Sequence, residues 1–468
     1  MIAVLPPALA DLSLDEKIEA LQRQMISQQQ QLDELKAEQE QRDEQRKKTA
    51  SNQTSEPVQP YQEERKISVN FGGQYRINFY NASNGQNTVN PDNNDQRAGR
   101  LRLRQDINFK FGNQFKTHLQ LELQHTTGNV TSTKTNISVR HAVLDYTFHN
   151  GIRVKAGIVP LSDKFGDVLF SSDWNYNPLA LEVTVPAGNG NLRVFAANLK
   201  EGAESIESDD FVHYEVDYFT SIGPHTEIAV SGIALNLEND LTRPGDGWHF
   251  NYGLSLKFAV HKDLAGRVAF IGSQTDSGLL GSSGNASGFF VIGEIKGALG
   301  KGEFGLLASH ASGRQDGRGF LTPMAFAQTF GYWGYTGILT VQGPTDTGFD
   351  FDAVNVSNNG YGLTSFQAKY VIPLAPKFDG YVAAGWFGNS NVPDGRDRMI
   401  GVDLMVMGTY HFTKELGLDM GIAYSRLNDG VSGYFQGVQA MGLGPAFNQL
   451  QGTQRNKLVL FGRLQAEF

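Results

Sequence analysis

From residue 66 to residue 468 apolar side chains recur at every second position, a period that belongs to strands and not to helices. The last segment shows it plainly. In residues 456–468 (NKLVLFGRLQAEF), Leu458, Leu460, Gly462, Leu464, Ala466 and Phe468 share one face. Lys457, Val459, Phe461, Arg463, Gln465 and Glu467 share the other. Eighteen such segments can be counted, near 66–80, 97–111, 115–125, 137–149, 151–159, 178–186, 191–200, 210–221, 225–237, 249–261, 263–274, 287–299, 302–313, 360–373, 377–388, 398–412, 415–427 and 456–468. A single-chain antiparallel barrel of the bacterial outer membrane needs an even number, and losing one hairpin would leave sixteen.

The connections between segments alternate between short turns, such as Gly112-Asn113-Gln114 and Ile222-Gly223-Pro224, and longer polar loops. Short turns belong to the periplasmic side of such a barrel and long loops to the outside, which places both barrel ends in the periplasm. The bulk composition agrees. No apolar run reaches the roughly 18 residues of a membrane-crossing helix. Cysteine is absent, which removes thiolate catalysis and disulfides, while 30 Phe, 16 Tyr and 53 Gly accompany a formal net charge of −9. The expected fold is an all-β transmembrane antiparallel barrel over residues 66–468. A free C-terminal Phe468 on an alternating strand resembles the assembly signal of outer-membrane proteins.

The chain before the barrel reads differently. Residues 1–10 (MIAVLPPALA) are apolar and end in a small-x-small pattern, as the remnant of a signal peptide would. Residues 11–48 open on a capping box, Ser13-Leu14-Asp15-Glu16. Behind it Leu14, Ile18, Leu21, Met25, Gln28, Leu32 and Leu35 recur with 4-3 spacing, the seam of an α-helical coiled coil with Gln28 as one polar layer. Residues 49–65 are a polar, Pro-containing linker. A seam fused to a barrel must be parallel, because every copy enters the membrane in the same direction. The a and d residues leave dimer and trimer open, and analogy with other barrels of this kind points to a homotrimer.

Parity then sorts the charges. In RAGRLRLRQDINFKF, Leu101, Leu103, Ile107 and Phe109 take the lipid side, so Arg100, Arg102, Arg104 and Lys110 face the lumen. The same argument sends Arg76, Lys116, Arg153 and Lys155 inward. Arginine on the lipid face at mid-membrane would cost about 2–4 kcal/mol. A row of lumen cations can set conductance and selectivity, or it can brace the wall by pairing with Asp106 and Glu122.

The third long connection, residues 160–178 (PLSDKFGDVLFSSDWNYNP), follows the fifth strand. Gly157-Ile158-Val159-Pro160, Phe165-Gly166 and Ser171-Ser172-Asp173-Trp174 resemble the third-loop region of phosphate- and polyphosphate-selective porins. That family, with related trimeric porins for small carboxylates, includes members with an N-terminal coiled coil. The resemblance implies an invaginated loop that narrows the pore, with Asp163, Lys164, Asp167 and Asp173 in or near the constriction. Phosphate-selective members carry a long arginine ladder and a lysine cluster, whereas here the basic row is confined to a few strands of an acidic chain. The expected function is therefore a passive diffusion channel for small hydrophilic solutes, leaning toward anions.

Other functions fit parts of the sequence. A saccharide channel would need a continuous aromatic row along the lumen, and only single residues such as Tyr80 take that parity. A coil tethering the barrel to a periplasmic or cell-wall partner is a third function, beside contact with membrane lipid and lipopolysaccharide. The loop over residues 314–359 carries Phe326, Phe330, Tyr332, Trp333 and Tyr335, suited to a sugar slide, a lid or packing on the rim. Asp346, Asp350 and Asp352 alternate in it as a Ca²⁺ candidate without EF-hand spacing. No other metal or cofactor, no enzyme and no nucleic-acid surface is expected: histidines lack metal spacing, no G-x-S-x-G occurs, and basic residues interleave with no stacking platform.

Overall fold

The computed structural model describes residues 67–83, 96–127, 135–174, 176–200, 210–238, 246–261, 263–280, 284–323, 334–340, 354, 356–357, 360–431 and 455–468. The coiled-coil seam Leu14–Leu35, the linker, Phe326, Phe330, Tyr332, Trp333 and the three loop aspartates Asp346, Asp350 and Asp352 lie outside them.

Eighteen strands follow one another: β1 (Ile67–Ser83), β2 (Gln96–Phe111), β3 (Phe115–Thr127), β4 (Thr135–Thr147), β5 (Arg153–Ile158) and β6 (Leu179–Ala187). Next come β7 (Gly190–Lys200), β8 (Phe211–Ser221), β9 (Thr226–Leu237), β10 (Gly247–His261), β11 (Leu264–Thr275) and β12 (Ala286–Leu299). The last six are β13 (Gly302–Ala311), β14 (Leu363–Ala375), β15 (Phe378–Asn389), β16 (Met399–His411), β17 (Leu416–Leu427) and β18 (Asn456–Glu467). Each pairs antiparallel with its sequence neighbours, and β1 also pairs with β18, which closes the sheet into a ring. Closure leaves no open edge, so the backbone amides of the strands are satisfied within the wall. The last residue extends the seam: Gly73 N–H donates to the Phe468 carbonyl at 2.8 Å and Phe468 N–H to the Gly73 carbonyl at 3.1 Å.

Alternation decides which way each side chain points. On β1, Arg76, Asn78, Tyr80 and Ala82 are buried, whereas Tyr75, Ile77 and Phe79 between them are exposed. On β18, Lys457, Val459 and Phe461 are buried and Leu458 and Leu460 exposed. The outward face is thus leucine, valine and aromatic rings, a surface matched to hydrocarbon, and polar groups collect inside. Eight turns of two to five residues form one rim, and connections of seven residues or more form the other. The first strand begins and the last ends at the short-turn rim.

Bulges interrupt the alternation in places, and the one in β4 bears on the lumen charge. Gln120 faces His141 and Leu121 faces Val139, so Arg140 is an extra residue in β4. This β-bulge turns Arg140 and His141, neighbours in sequence, both inward, and both are buried.

Candidate pore constriction

Among the described residues, two of the long-rim connections fold back inside the ring, and the first is residues 159–178. It leaves β5 and returns to β6 as an inner hairpin, with Val159 N–H donating to the Pro178 carbonyl at 3.0 Å and Leu161 N–H to the Tyr176 carbonyl at 3.1 Å. Its tip is organised around one carboxylate. Asp163 Oδ1 accepts from the N–H groups of Phe165 (2.8 Å) and Asp167 (3.1 Å), and Oδ2 from those of Leu169 (2.6 Å) and Phe170 (3.1 Å). Leu161, Phe165, Leu169 and Phe170 fill the space beneath. Burial, with the Asp167 carboxylate close by, pushes the Asp163 pKa up to about 7, against the pull of the Phe170 and Leu169 amides. Burial, helped by the Arg193 charge, lowers that of Lys164, whose Nζ lies 4.2 Å from the centre of the Phe219 ring.

The tip reaches across to strands far from its origin. Ser255 Oγ on β10 donates to the Lys164 carbonyl at 2.7 Å, and the Arg267 guanidinium on β11 donates to the Gly166 carbonyl. At the base, Arg140 donates to the Ser172 carbonyl, and the Tyr176 hydroxyl meets His213 Nδ1 on β8 at 3.1 Å. The infolded loop is therefore held at its tip by β10 and β11 and at its base by β4 and β8.

Charge is unevenly spread over the first eight strands, and the inward cations Arg153 and Lys155 of β5 stand between a basic group and an acidic one. On β1–β4 the described inward charges are Arg76, Arg100, Arg102, Arg104, Lys110, Lys116 and Arg140 against Asp106, Glu122 and Asp145, an excess of four cations (seven less three). Arg76 and Arg102 stand opposite each other in register. Amide oxygens accept from several of these guanidinium groups: Gln465 from Arg76 at 2.8 Å, Gln124 from Arg100 at 2.6 Å, Gln74 from Arg102 at 2.8 Å and Gln120 from Arg140 at 2.7 Å. A neutral acceptor fixes a guanidinium without cancelling its charge. Arg104 instead meets Glu122 at 2.5 Å, while Asp106 is engaged by His118 and Gln120, both at 2.8 Å. On β6–β8 the described inward charges are Glu182, Arg193, Glu215 and Asp217, an excess of two anions. Arg193 is the hub of that group, 2.5 Å from Asp217 and also bonded to Glu215. Lys155 joins Glu182 at 2.7 Å.

The second infolded segment belongs to the long connection between β13 and β14. Tyr335 N–H donates to Gln367 at 2.8 Å, and its carbonyl accepts from the Tyr381 hydroxyl at 2.7 Å. Ile338 and Leu339 N–H groups donate to one Asp403 oxygen at 2.9 and 2.7 Å. Tyr335, Ile338, Leu339, Val354 and Val356 are all buried against β12–β16. Tyr335 thus lies inside the ring, not on its rim.

The sequence-derived site residues divide accordingly. Arg76, Arg100, Arg102 and Arg104 come together on one wall. Lys110 and Lys116 face each other beside the short turn 112–114, at the rim away from the loop. Arg153 pairs with Asp145 near the same rim. Asp173 is exposed at the base of the infolded loop, beside Arg140, and Asp167 is half-buried at its tip. Asp163 lies at the tip of the same loop, with its carboxylate buried and bonded to backbone amides. Arg140 was missed because a bulge shifts parity by one, although the three-residue step from Val139 to Ala142 carries that signal. The Glu182, Glu215 and Asp217 group was within reach of parity alone.

No protein-family model matches the sequence, and no curated protein is similar to it in sequence. Solved structures are similar in fold. Pseudomonas aeruginosa OccK11 (OpdR) aligns at 14% identity and a TM-score of 0.51, covering 86% of this chain and 96% of its own. Pseudomonas aeruginosa OccK5 (OpdH) aligns at 12% and 0.53, covering 86% and 98%. Pseudomonas aeruginosa OpdK, solved with vanillate, aligns at 11% and 0.51, covering 86% and 98%. At such identities the likeness is one of fold: a closed antiparallel barrel of the kind seen in outer-membrane channels.

Proposed function

We propose that the chain is an outer-membrane channel through which small hydrophilic solutes diffuse passively, with a preference for anions. The observation that carries this reading is the asymmetry of the lumen: an excess of cations on β1–β4, an excess of carboxylates on β6–β8, and an infolded loop that joins β5 to β6. Fixed charges unevenly spread around a narrow water-filled passage produce a transverse field that orients dipolar solutes without a tight site. The apolar outer face and the closed ring suit a membrane-embedded barrel. Vanillate, present in the OpdK structure, is a small carboxylate, and a solute of that kind would be drawn to the arginine wall. Assembly as a homotrimer through the seam of residues 11–48 belongs to the same proposal.

Reversal-potential measurements in planar bilayers test it. The wild-type channel is expected to favour anions, and replacing Arg76, Arg100 and Arg102 by Gln should move the reversal potential toward cations. An unchanged value would reduce the arginines to wall bracing, and absence of any conductance would sink the channel reading. Insertion in three equal current steps is the outcome expected of a trimer.

A further inference from the structure

Arg267 on β11 and Glu294 on β12 stand opposite each other in register, and their side chains meet at 2.8 Å. Each has a second partner, and the two second partners belong to different infolded loops. The Arg267 guanidinium donates to the Gly166 carbonyl at the tip of the 159–178 loop. Glu294 Oε1 accepts from the Tyr335 hydroxyl of the long connection at 2.5 Å and meets Lys296 Nζ at 2.8 Å. Resting on the channel reading, we infer that the Arg267–Glu294 pair is a common anchor that positions both loops, so that the eyelet's width is set by the two together.

The chemistry suits the role. A guanidinium presents several donors in a fixed plane, so it can hold a carboxylate and a loop carbonyl at once. A carboxylate has acceptor positions on both oxygens, so one can face the arginine while the other takes the phenol. The sheet register alone places the pair side by side, without help from either loop. The loop backbone is shaped for the contact: Gly166 has φ +94°, and a Cβ there would lie 2.1 Å from the Arg267 Nη1. Ser255 also holds the first loop, and Gln367, Tyr381 and Asp403 also hold the second. Loss of the anchor should therefore loosen the loops without releasing them.

The absence of native cysteine allows a direct test. Val168, 4% exposed at the tip of the first loop, is replaced by cysteine, and its modification by a water-soluble thiosulfonate reports how often that tip opens. Tyr335→Phe, a change in the other loop, should raise the rate, as should Glu294→Gln, each by about tenfold, the shift that one hydrogen bond to a charged group can make. The two changes together should add little to Glu294→Gln alone. A rate unmoved by Tyr335→Phe, or fully multiplicative effects, would overturn the shared anchor. Tyr335→Phe decides alone should Glu294→Gln fail to show the heat-shifted gel mobility of a folded barrel. The readout needs no current, so a non-conducting protein would refute the channel and leave the anchor standing.

Discussion

Asp163 shows how much of a loop one side chain can organise. With four backbone N–H groups around its two oxygens, the tip over residues 163–170 has a carboxylate where a small domain would have a core. Asparagine keeps one acceptor oxygen and turns an NH₂ toward amides that also donate. A buried N–H left without an acceptor costs about 1–3 kcal/mol. Asp163→Asn should therefore give a larger and noisier single-channel current while the barrel keeps its heat-shifted mobility, and a quiet current of wild-type size would contradict this. Gly157, where β5 hands over to the loop, has a different constraint. Its φ is +118°, and a Cβ would sit 2.0 Å from the Ala142 carbonyl oxygen on the paired strand. Gly157→Ala should cost about 1–3 kcal/mol or more, read as a lower temperature at which the folded band is lost.

At the scale of elements, the wall and the infolded loop are separable. The strand ladders of β5 and β6 pair with each other without using the tip. Replacing residues 163–170 by a Gly-Ser linker is thus expected to leave a folded barrel with a higher conductance. Failure to fold would show that the loop is part of the scaffold. The strands were legible because period two repeats locally, and the eighteenth ends where alternation says it should. The contacts of the loop tip were not legible. Ser255 and Arg267 lie about ninety to a hundred residues from their loop partners, and nothing in the spacing of either segment marks the other. The Arg140 bulge falls between these cases, since its signal is one missed beat in an otherwise regular strand. The role of Asp163 was not legible either, because a loop aspartate reads the same whether it faces solute or its own backbone.

For the whole molecule, the lumen's charge asymmetry predicts how selectivity responds to salt. Fixed charges are felt over about 10 Å at 0.1 M salt and about 3 Å at 1 M. The anion-to-cation permeability ratio should therefore fall toward unity across that range, and a ratio that persists at 1 M would point to a tight site in place of a field. The seam between β1 and β18 has a consequence of another kind. It joins residues nearly four hundred positions apart, Arg76 beside Gln465 and Asn78 beside Arg463. Every other pairing in the ring links strands adjacent in sequence and can form as a hairpin when its turn is reached. The ring itself cannot shut until the final strand is available, so any chain interrupted earlier carries two raw edges of unpaired amides. Such a fragment would stick to other chains in water and leave amides unsatisfied in lipid.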